Sequence, residues 1–388
     1  MVQKNYKRII SPSRSSSFFL FGARGTGKST FIEKQFAAKN PFMVNLLDPT
    51  VEDFYARHPN RIEGELLALK KKPDWVVVDE VQKVPRLLDM IHLLIEKYNY
   101  KFILTGSSAR KLKRGGANLL AGRAFVNELF PLTPKELGSD FDLISYLRWG
   151  GLPKITSFEN NKDKLSYLNG YVLTYLNEEI RLEQVIRKLD PFRSFLEIGA
   201  QASAKIINHK KIGDQIGVDT KTVQSYFQIL EDTLLGFYLP AFHLSVRKSQ
   251  KINPKFYLFD TGVKKALESS LEQIPSPGTS VYGDLFEQMV ILNIYRVNKY
   301  LQRNYKLSYY MTKNLAEVDL VLSKGQRHLL IEIKSSARID ESDVHSLERI
   351  ARDFPGEKKL YYLSNDRHKL KIGKVHCLPW DLFLTEVI

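Results

Sequence analysis

The sequence predicts an α/β protein in successive parts. A parallel sheet covered on both faces by helices comes first, then a helix–turn–helix with a small sheet, then a second α/β domain. Three observations carry this reading. Short apolar runs alternate with helical periods over the first ~150 residues, as a parallel sheet requires. Two helical periods, Ile206 to Ile216 and Asp219 to about Asp232, are separated only by Gly217-Val218. Near the C-terminus, Glu317 to Leu322 and His328 to Lys334 read as strands joined by the turn Ser323-Lys324-Gly325-Gln326.

The chain has 388 residues, 43% of them hydrophobic, enough for two or three domains with their own cores. The expected divisions are a sheet domain at 1–148, a helical connector at 149–190, the helix–turn–helix part at 191–272 and the last domain at 279–388. Trp149-Gly150-Gly151-Leu152-Pro153 reads as a hinge, and Gln273-Ile274-Pro275-Ser276-Pro277-Gly278 as a linker. A single cysteine, Cys377, excludes an internal disulfide framework and a cysteine-based zinc site. No apolar run approaches the ~20 residues needed to cross a bilayer, and no targeting region stands at the start. A cytoplasmic protein with no membrane partner is expected. Net charge +15 calls for a polyanion, and nucleic acid, DNA above all, is the favoured partner. Basic clusters lie at Lys70-Lys71-Lys72, Arg110 to Arg114, Lys205 to Lys211, and Arg247-Lys248 through Lys251 and Lys255. Each alone is an ordinary solvated face; their sum is the signal.

In the first part, Ser17 to Phe21 reads as a buried strand and Ser29 to Lys39 as the following helix. Between them stands Gly22-Ala23-Arg24-Gly25-Thr26-Gly27-Lys28-Ser29, a complete phosphate-binding loop, with Thr30 next on the helix. The glycines let backbone N–H groups curl around phosphate oxygens. Lys28 supplies a charge to the β- and γ-phosphates of ATP, and Ser29 a hydroxyl ligand to Mg²⁺. Asp74 to Glu80 is a strand ending in two carboxylates. Asp79 can hold Mg²⁺ through water, and Glu80 can polarise the attacking water. Lys101 to Thr105 is a further strand that ends in Thr105-Gly106-Ser107-Ser108. A polar side chain there can sense the γ-phosphate; Ser107 is the first choice and Thr105 the alternative. Arg123 precedes the strand-like run Ala124 to Phe130. Three roles are open to it: a finger reaching a neighbouring subunit's γ-phosphate, a contact to its own nucleotide, or a surface arginine.

In the middle part, Lys221, Gln224, Ser225 and Gln228 fall on the exposed side of the second helix, while Val223, Phe227 and Leu230 face a core. Such a helix can enter the DNA major groove or serve protein contact. The runs Gly236 to His243 and Phe256 to Phe259 would supply a winged-helix sheet. In the last part, Glu287 lies in a helix, Tyr282 to Asn298. Strand alternation puts Glu332 and Lys334 on one face, with Asp319 on the paired strand. Asp319 and Glu332 would bind Mg²⁺, Glu287 would complete the metal shell, and Lys334 would orient or deprotonate water at a scissile phosphate. The plainer reading is a solvated hairpin with a Glu332–Lys334 salt bridge.

Taken together the chain resembles the prokaryotic AAA-type P-loop ATPases that carry a C-terminal domain of unknown function. The resemblance rests on Gly22 to Thr30, Val78-Asp79-Glu80-Val81-Gln82, Leu104 to Ser108, Ala121-Gly122-Arg123, Phe130-Pro131-Leu132-Thr133, Gly150-Gly151-Leu152-Pro153, Pro254 to Gly262, Glu317-Val318-Asp319 and Ile331 to Ser336. It implies an additional-strand P-loop ATPase domain with a parallel sheet, then a winged helix–turn–helix, then an α/β domain like the PD-(D/E)XK nucleases. It also implies ATP hydrolysis, a candidate Mg²⁺-dependent nuclease site and a possible homo-oligomer. A nucleotide-driven switch whose last domain only binds a partner is the alternative.

Overall fold

The structure, a computed structural model, describes residues 4–36, 40–108, 120, 122–176, 189–250, 252–312, 314, 316–352 and 354–388. The basic run Arg110 to Arg114 and Lys251 lie outside the described residues, as does Ala121 of the run leading to Arg123. The chain forms two compact units. One holds Lys7–Leu132 with Asp232–Leu235; the other holds Thr133–Glu231, Gly236–Ile388 and the residues before Lys7.

The first unit is built on five strands: β1 (Ser17–Phe21), β2 (Phe42–Asn45), β3 (Val76–Asp79), β4 (Phe102–Gly106) and β5 (Ala124–Glu128). Their order is β2-β3-β4-β1-β5 and every pairing is parallel. Both β1 and β4 are buried along their whole length, which is why they read as unbroken apolar runs instead of alternating ones. Helices α1 (Lys28–Phe36), α2 (Pro49–Arg57), α3 (Arg61–Leu67) and α4 (Leu87–Tyr98) connect them. Phe19, Phe21, Val76, Val78, Ile91 and Leu104 are among the residues of the core. Trp75 packs edge-on against Phe18 and Phe36 at 5.7 and 5.2 Å, anchoring α1 to the sheet. Since β4 lies between β1 and β3, the loop after β1 and the carboxylates after β3 flank the end of β4. All three open at the carboxyl edge, where parallel sheets present their ligand-binding loops.

The second unit opens on a single helical turn, Pro134–Leu137, and continues with α5 (Leu143–Trp149) and α6 (Asn161–Gly170), followed by a π-helical turn, Tyr171–Leu176. Then come α7 (Leu189–Gln201), α8 (His209–Ile216), α9 (Thr220–Asp232) and an antiparallel pair, β6 (Gly236–Leu239) with β7 (Lys255–Leu258). Gly217 closes α8 in the left-handed conformation at φ +69°. The sequence places the start of α8 at Ile206, three residues too early. Asn208 is its cap, accepting a bond from Lys211 N at 3.0 Å, and Ile206 forms an antiparallel bridge with Lys255.

After α10 (Thr261–Leu267) and α11 (Ser280–Tyr300) come β8 (Lys306–Met311), β9 (Glu317–Lys324), β10 (Arg327–Ile333), α12 (Glu341–Arg352), β11 (Glu357–Ser364), β12 (Leu370–Ile372), β13 (Val375–Pro379) and α13 (Trp380–Glu386). The sheet order is β12-β13-β11-β10-β9-β8. β8, β9 and β10 are antiparallel neighbours, while β11 runs parallel to β10 across the α12 crossover.

The expected hinge is instead a clamp. Gly150 sits at φ +74°, and Gly151 N donates to the buried Asp260 carboxylate at 2.8 Å. The same carboxylate caps α10 by accepting from Gly262 N at 3.0 Å and Val263 N at 3.1 Å. Thr261 Oγ1 donates to Tyr146 O at 2.9 Å. Burial pushes the Asp260 carboxyl above its ordinary range, although these N–H donors and the Arg296 charge act against that.

Candidate functional site

Two clusters hold the chemistry, one in each unit. In the first, the chain leaves β1 at Phe21, and Gly22 N donates to Gly106 O at 3.2 Å. A Cβ at Gly22 would overlap Leu129 O, so the position admits only glycine. Gly25 at φ +80° and Gly27 at φ +92° carry the backbone round the loop. Thr26 N and Oγ1 both bond to Ala23 O, at 3.3 and 2.8 Å, and Arg24 stands exposed at the tip. Arg8 donates to Thr26 O at 3.0 Å and also to Phe130 O, pinning the loop from outside. Lys28 opens α1 and is buried, its Nζ donating to Gly22 O at 2.8 Å across the loop. Ser29 Oγ donates to Asp79 Oδ2 at 3.4 Å.

Thr105 at the end of β4 donates to the other Asp79 oxygen and accepts from Glu80 N at 3.1 Å. Glu80 adopts φ 58°, ψ 47°, a left-handed conformation that is uncommon for a residue other than glycine. Its side chain accepts from Gln82 Nε2, which also donates to Ser107 Oγ at 3.2 Å. Thus Ser29, Asp79, Glu80, Thr105 and Ser107 come together in one hydrogen-bonded group with Gln82. Thr105 meets the aspartate and Ser107 meets Gln82. Gln82 itself was legible only as part of a resemblance motif; its place two residues beyond Glu80 is the signal.

A serine hydroxyl and a carboxylate this close, beside a lysine and a glycine-rich loop, would fit a hydrated Mg²⁺ carried by a nucleoside triphosphate. Ser29 and Asp79 would hold the ion, and Lys28 would hold the phosphates. Arg123 lies elsewhere. Ala124 is level with Ser17 and Glu128 with Phe21, so Arg123 stands at the amino edge of the sheet, paired with Glu96 of α4. It does not face this chain's own loop, which removes the role on its own nucleotide.

The second cluster gathers around β9 and β10. Glu332 and Lys334 project together, with Lys334 Nζ donating to Glu332 Oε1 at 2.6 Å. Asp319 Oδ2 accepts from Ile333 N at 2.7 Å. Glu287 on α11 accepts from Tyr257 OH at 3.3 Å and lies 3.6 Å from Lys255 Nζ, which also pairs with Glu317. Burial, reinforced by the Asp319 charge, pushes Glu287 and Glu332 each up to about 8. Asp319 is likewise raised by burial, against the pull of Lys334 and Lys255. Burial works to lower Lys334, but Glu332 and Asp319 outweigh it, and its ammonium is held above the ordinary range.

The metal shell expected of Glu287, Asp319 and Glu332 is not assembled. Among the described residues no three His, Cys, Asp or Glu side chains converge on a position that could hold a metal ion. The reason is visible in the contacts, since each carboxylate is turned to an internal partner. Lys255, Tyr257 and Glu317 were not singled out by sequence; Lys255 reads there only as one cation in a basic run. Among the described residues no helix is long and apolar enough to cross a membrane.

Residues 14–138 match the model of the AAA domain, residues 140–273 that of the domain of unknown function DUF8612, and residues 282–383 that of the domain of unknown function DUF4143. The chain is 27% identical over 368 residues to an uncharacterized protein of Mycobacterium tuberculosis, covering 89% of this chain and 78% of that one. It is 21% identical over 362 residues to an uncharacterized protein of Haemophilus influenzae, covering 85% and 86%. A solved structure of the Aeropyrum pernix ORC1 protein in complex with DNA overlaps 66% of this chain and 86% of that one, at 14% identity. Its TM-score of 0.26 is too low to bear on function. The AAA match supports an AAA-type ATPase domain at the N-terminus, and the parallel sheet there is like that of a P-loop ATPase.

Proposed function

We propose that this chain hydrolyses ATP with Mg²⁺ at the carboxyl edge of its N-terminal sheet and binds DNA through α9. One observation carries the ATPase reading. A phosphate loop, a metal-type Ser29–Asp79 contact and a general-base candidate, Glu80, meet at the open edge of one parallel sheet. Phosphoryl transfer needs little more than such positioning and charge. Arg123, at the opposite edge, is proposed to serve a neighbouring copy. Arg123→Ala should bind ATP normally and turn it over at least ~10-fold more slowly. Unchanged turnover would leave Arg123 as a surface partner of Glu96.

The DNA reading is supported by α9, where Lys221, Gln224, Ser225 and Gln228 are exposed while Val223, Phe227 and Leu230 are buried. The short turn from α8 and the hairpin after α9 are the parts of a winged helix. The test is fluorescence anisotropy with labelled duplex DNA across a salt series. Lys221→Ala should weaken binding to every sequence alike and lower the slope of log affinity against log salt by ~1. Failure of the parent protein to bind DNA at low salt would remove this part of the proposal.

For the last domain, the order helix, three antiparallel strands, helix, parallel strand supports a PD-(D/E)XK-like fold. A switch whose last domain binds a partner is the second reading. The closed, ion-paired state of its carboxylates favours it.

A further inference from the structure

A cavity of about 460 Å³ opens in the second unit, between the segment that follows β6 and the turn end of the β9–β10 hairpin. Its size is that of a small-molecule site. Asp319 and Glu332 lie toward the other end of the same strands and take no part in it. Part of the wall is the backbone from Pro240 to Phe242, laid alongside β8. Tyr309 N donates to Pro240 O at 3.0 Å and Phe242 N to Tyr309 O at 2.6 Å, while Ser249 Oγ donates to Ala241 O at 2.5 Å. The register of the sheet supplies the polar part. Lys306 of β8 is opposite Ser323 of β9, and Ser323 is opposite His328 of β10, so three side chains in one row rise from one face. His328 is 6% exposed, with its ring edge-on to Phe242 and Phe354 at 5.2 and 5.3 Å, and its orientation is thereby fixed. Its Nδ1 and Ser323 Oγ share a hydrogen bond of 2.8 Å. Burial lowers the imidazole below its ordinary range, so the ring is neutral at pH 7. A neutral ring and a hydroxyl each bring one proton, and the bond between them uses one. The other, on Nε2 or on Ser323 Oγ, finds no acceptor among the described residues. A Cβ at Gly356, which also lines the cavity, would stand 3.1 Å from Nε2, so glycine leaves that edge of the ring uncovered.

Charge and exposure narrow what fits the space. Lys306 is exposed, and among the described residues no carboxylate lines the cavity with it. Leu244 borders the same cavity at 73% exposure, an apolar side chain with little to cover it. We propose that this cavity binds a small aromatic carboxylate, its ring against Phe242 and Leu244 and its carboxylate on Lys306 and the spare proton of the His328–Ser323 pair. One lysine beside one neutral donor matches a single negative charge. A phosphate dianion would bring a second charge that no group of this wall offsets. The site is independent of the ATPase and DNA readings. A ligand in it touches the segment after β6 and the β9–β10 hairpin at once, so it ties the helix–turn–helix part to the last domain.

The experiment is ligand-observed NMR and calorimetric titration of the full chain with benzoate and indole-3-acetate, each beside its uncharged amide. The parent protein should bind at least one acid saturably and several-fold more tightly than the matching amide. Lys306→Ala should bring the acid down to the level of its amide. Leu244→Glu, which sets a like charge at the cavity, should weaken the acid more than it weakens the amide. Both substitutions fall on exposed side chains, and an unchanged melting temperature confirms that the variants fold. No saturable binding of either acid would overturn the proposal, as would acid and amide bound alike by the parent. Acid binding that either substitution leaves unchanged would overturn it too, since the probe would then sit elsewhere on the chain.

Discussion

The Glu80→Gln protein is expected to bind ATP as tightly as its parent and to hydrolyse it ~10²–10⁴-fold more slowly, the usual worth of a positioned general base. The argument is geometric. Glu80 follows the last residue of β3, and its backbone is held left-handed by the bond from Glu80 N to Thr105 Oγ1. Its carboxylate is therefore aimed from a fixed backbone, and Gln82 steadies it from the other side. Glutamine keeps the shape and the contact to Gln82 but cannot take a proton from water. The Lys28→Ala protein should differ, losing ATP binding as well as turnover, because Lys28 acts on the phosphates themselves. Phosphate release and binding of a fluorescent ATP analogue, measured side by side, separate the two. If Glu80→Gln turned over at the parental rate, the base would have to be sought elsewhere, with Asp79 the next candidate.

Gly150→Ala should be the most damaging single methyl group in the second unit. At φ +74° an L side chain is strained, and here the new Cβ would overlap the Asp260 carboxylate. That carboxylate cannot step aside. It is buried, it accepts from Gly151, Gly262 and Val263, and its α10 cap depends on staying where it is. The opposing side is equally fixed, since a Cβ at Gly262 would overlap Trp149 O. Arg296, also buried, closes the region by donating to Tyr146 OH at 2.7 Å and Phe259 O at 2.5 Å. Overpacking of this kind costs about 3 kcal/mol at the upper end of its usual range. For a unit of this size the melting temperature should fall by roughly 6–12 °C, read by calorimetry on the full chain. An unchanged melt would mean that the clamp yields, and that Gly150 is present for some reason other than close approach.

Local chemistry was the legible part of this chain. The phosphate-loop pattern is written in consecutive residues, so it could be recognised without knowing its neighbours. The limits of β1 were read correctly because a buried parallel strand is one apolar run. Strand order is different in kind. That β4 stands between β1 and β3 follows from pairing over long separations, and here only the resemblance supplied the additional strand. The direction of β5 decides where Arg123 lies, and no local pattern reports which end of a strand faces a loop made elsewhere. For the second cluster, alternation correctly placed Glu332 beside Lys334. It could not reveal that a lysine from another strand would enter the same space, because Lys255 looks like any other surface cation until its burial is known. The Trp149 to Pro153 run shows the converse failure. Two glycines read as freedom, whereas Gly150 is there because Asp260 leaves no room, and Gly151 gives its N–H to the same carboxylate.

The clamp also orders events during synthesis. Gly151 and the Asp260 that receives its N–H are separated by 109 residues of chain. At the usual ribosomal rate of ~5–20 residues per second, Gly151 waits roughly 5–20 s for its partner to be made. The N-terminal sheet suffers no such delay, because its last strand, β5, ends at Glu128, before the clamp begins. The nascent chain thus carries a sheet with all its strands made, its unit lacking only Asp232–Leu235, ahead of a half-made second unit whose first helices lack the Asp260 clamp until that residue has left the ribosome.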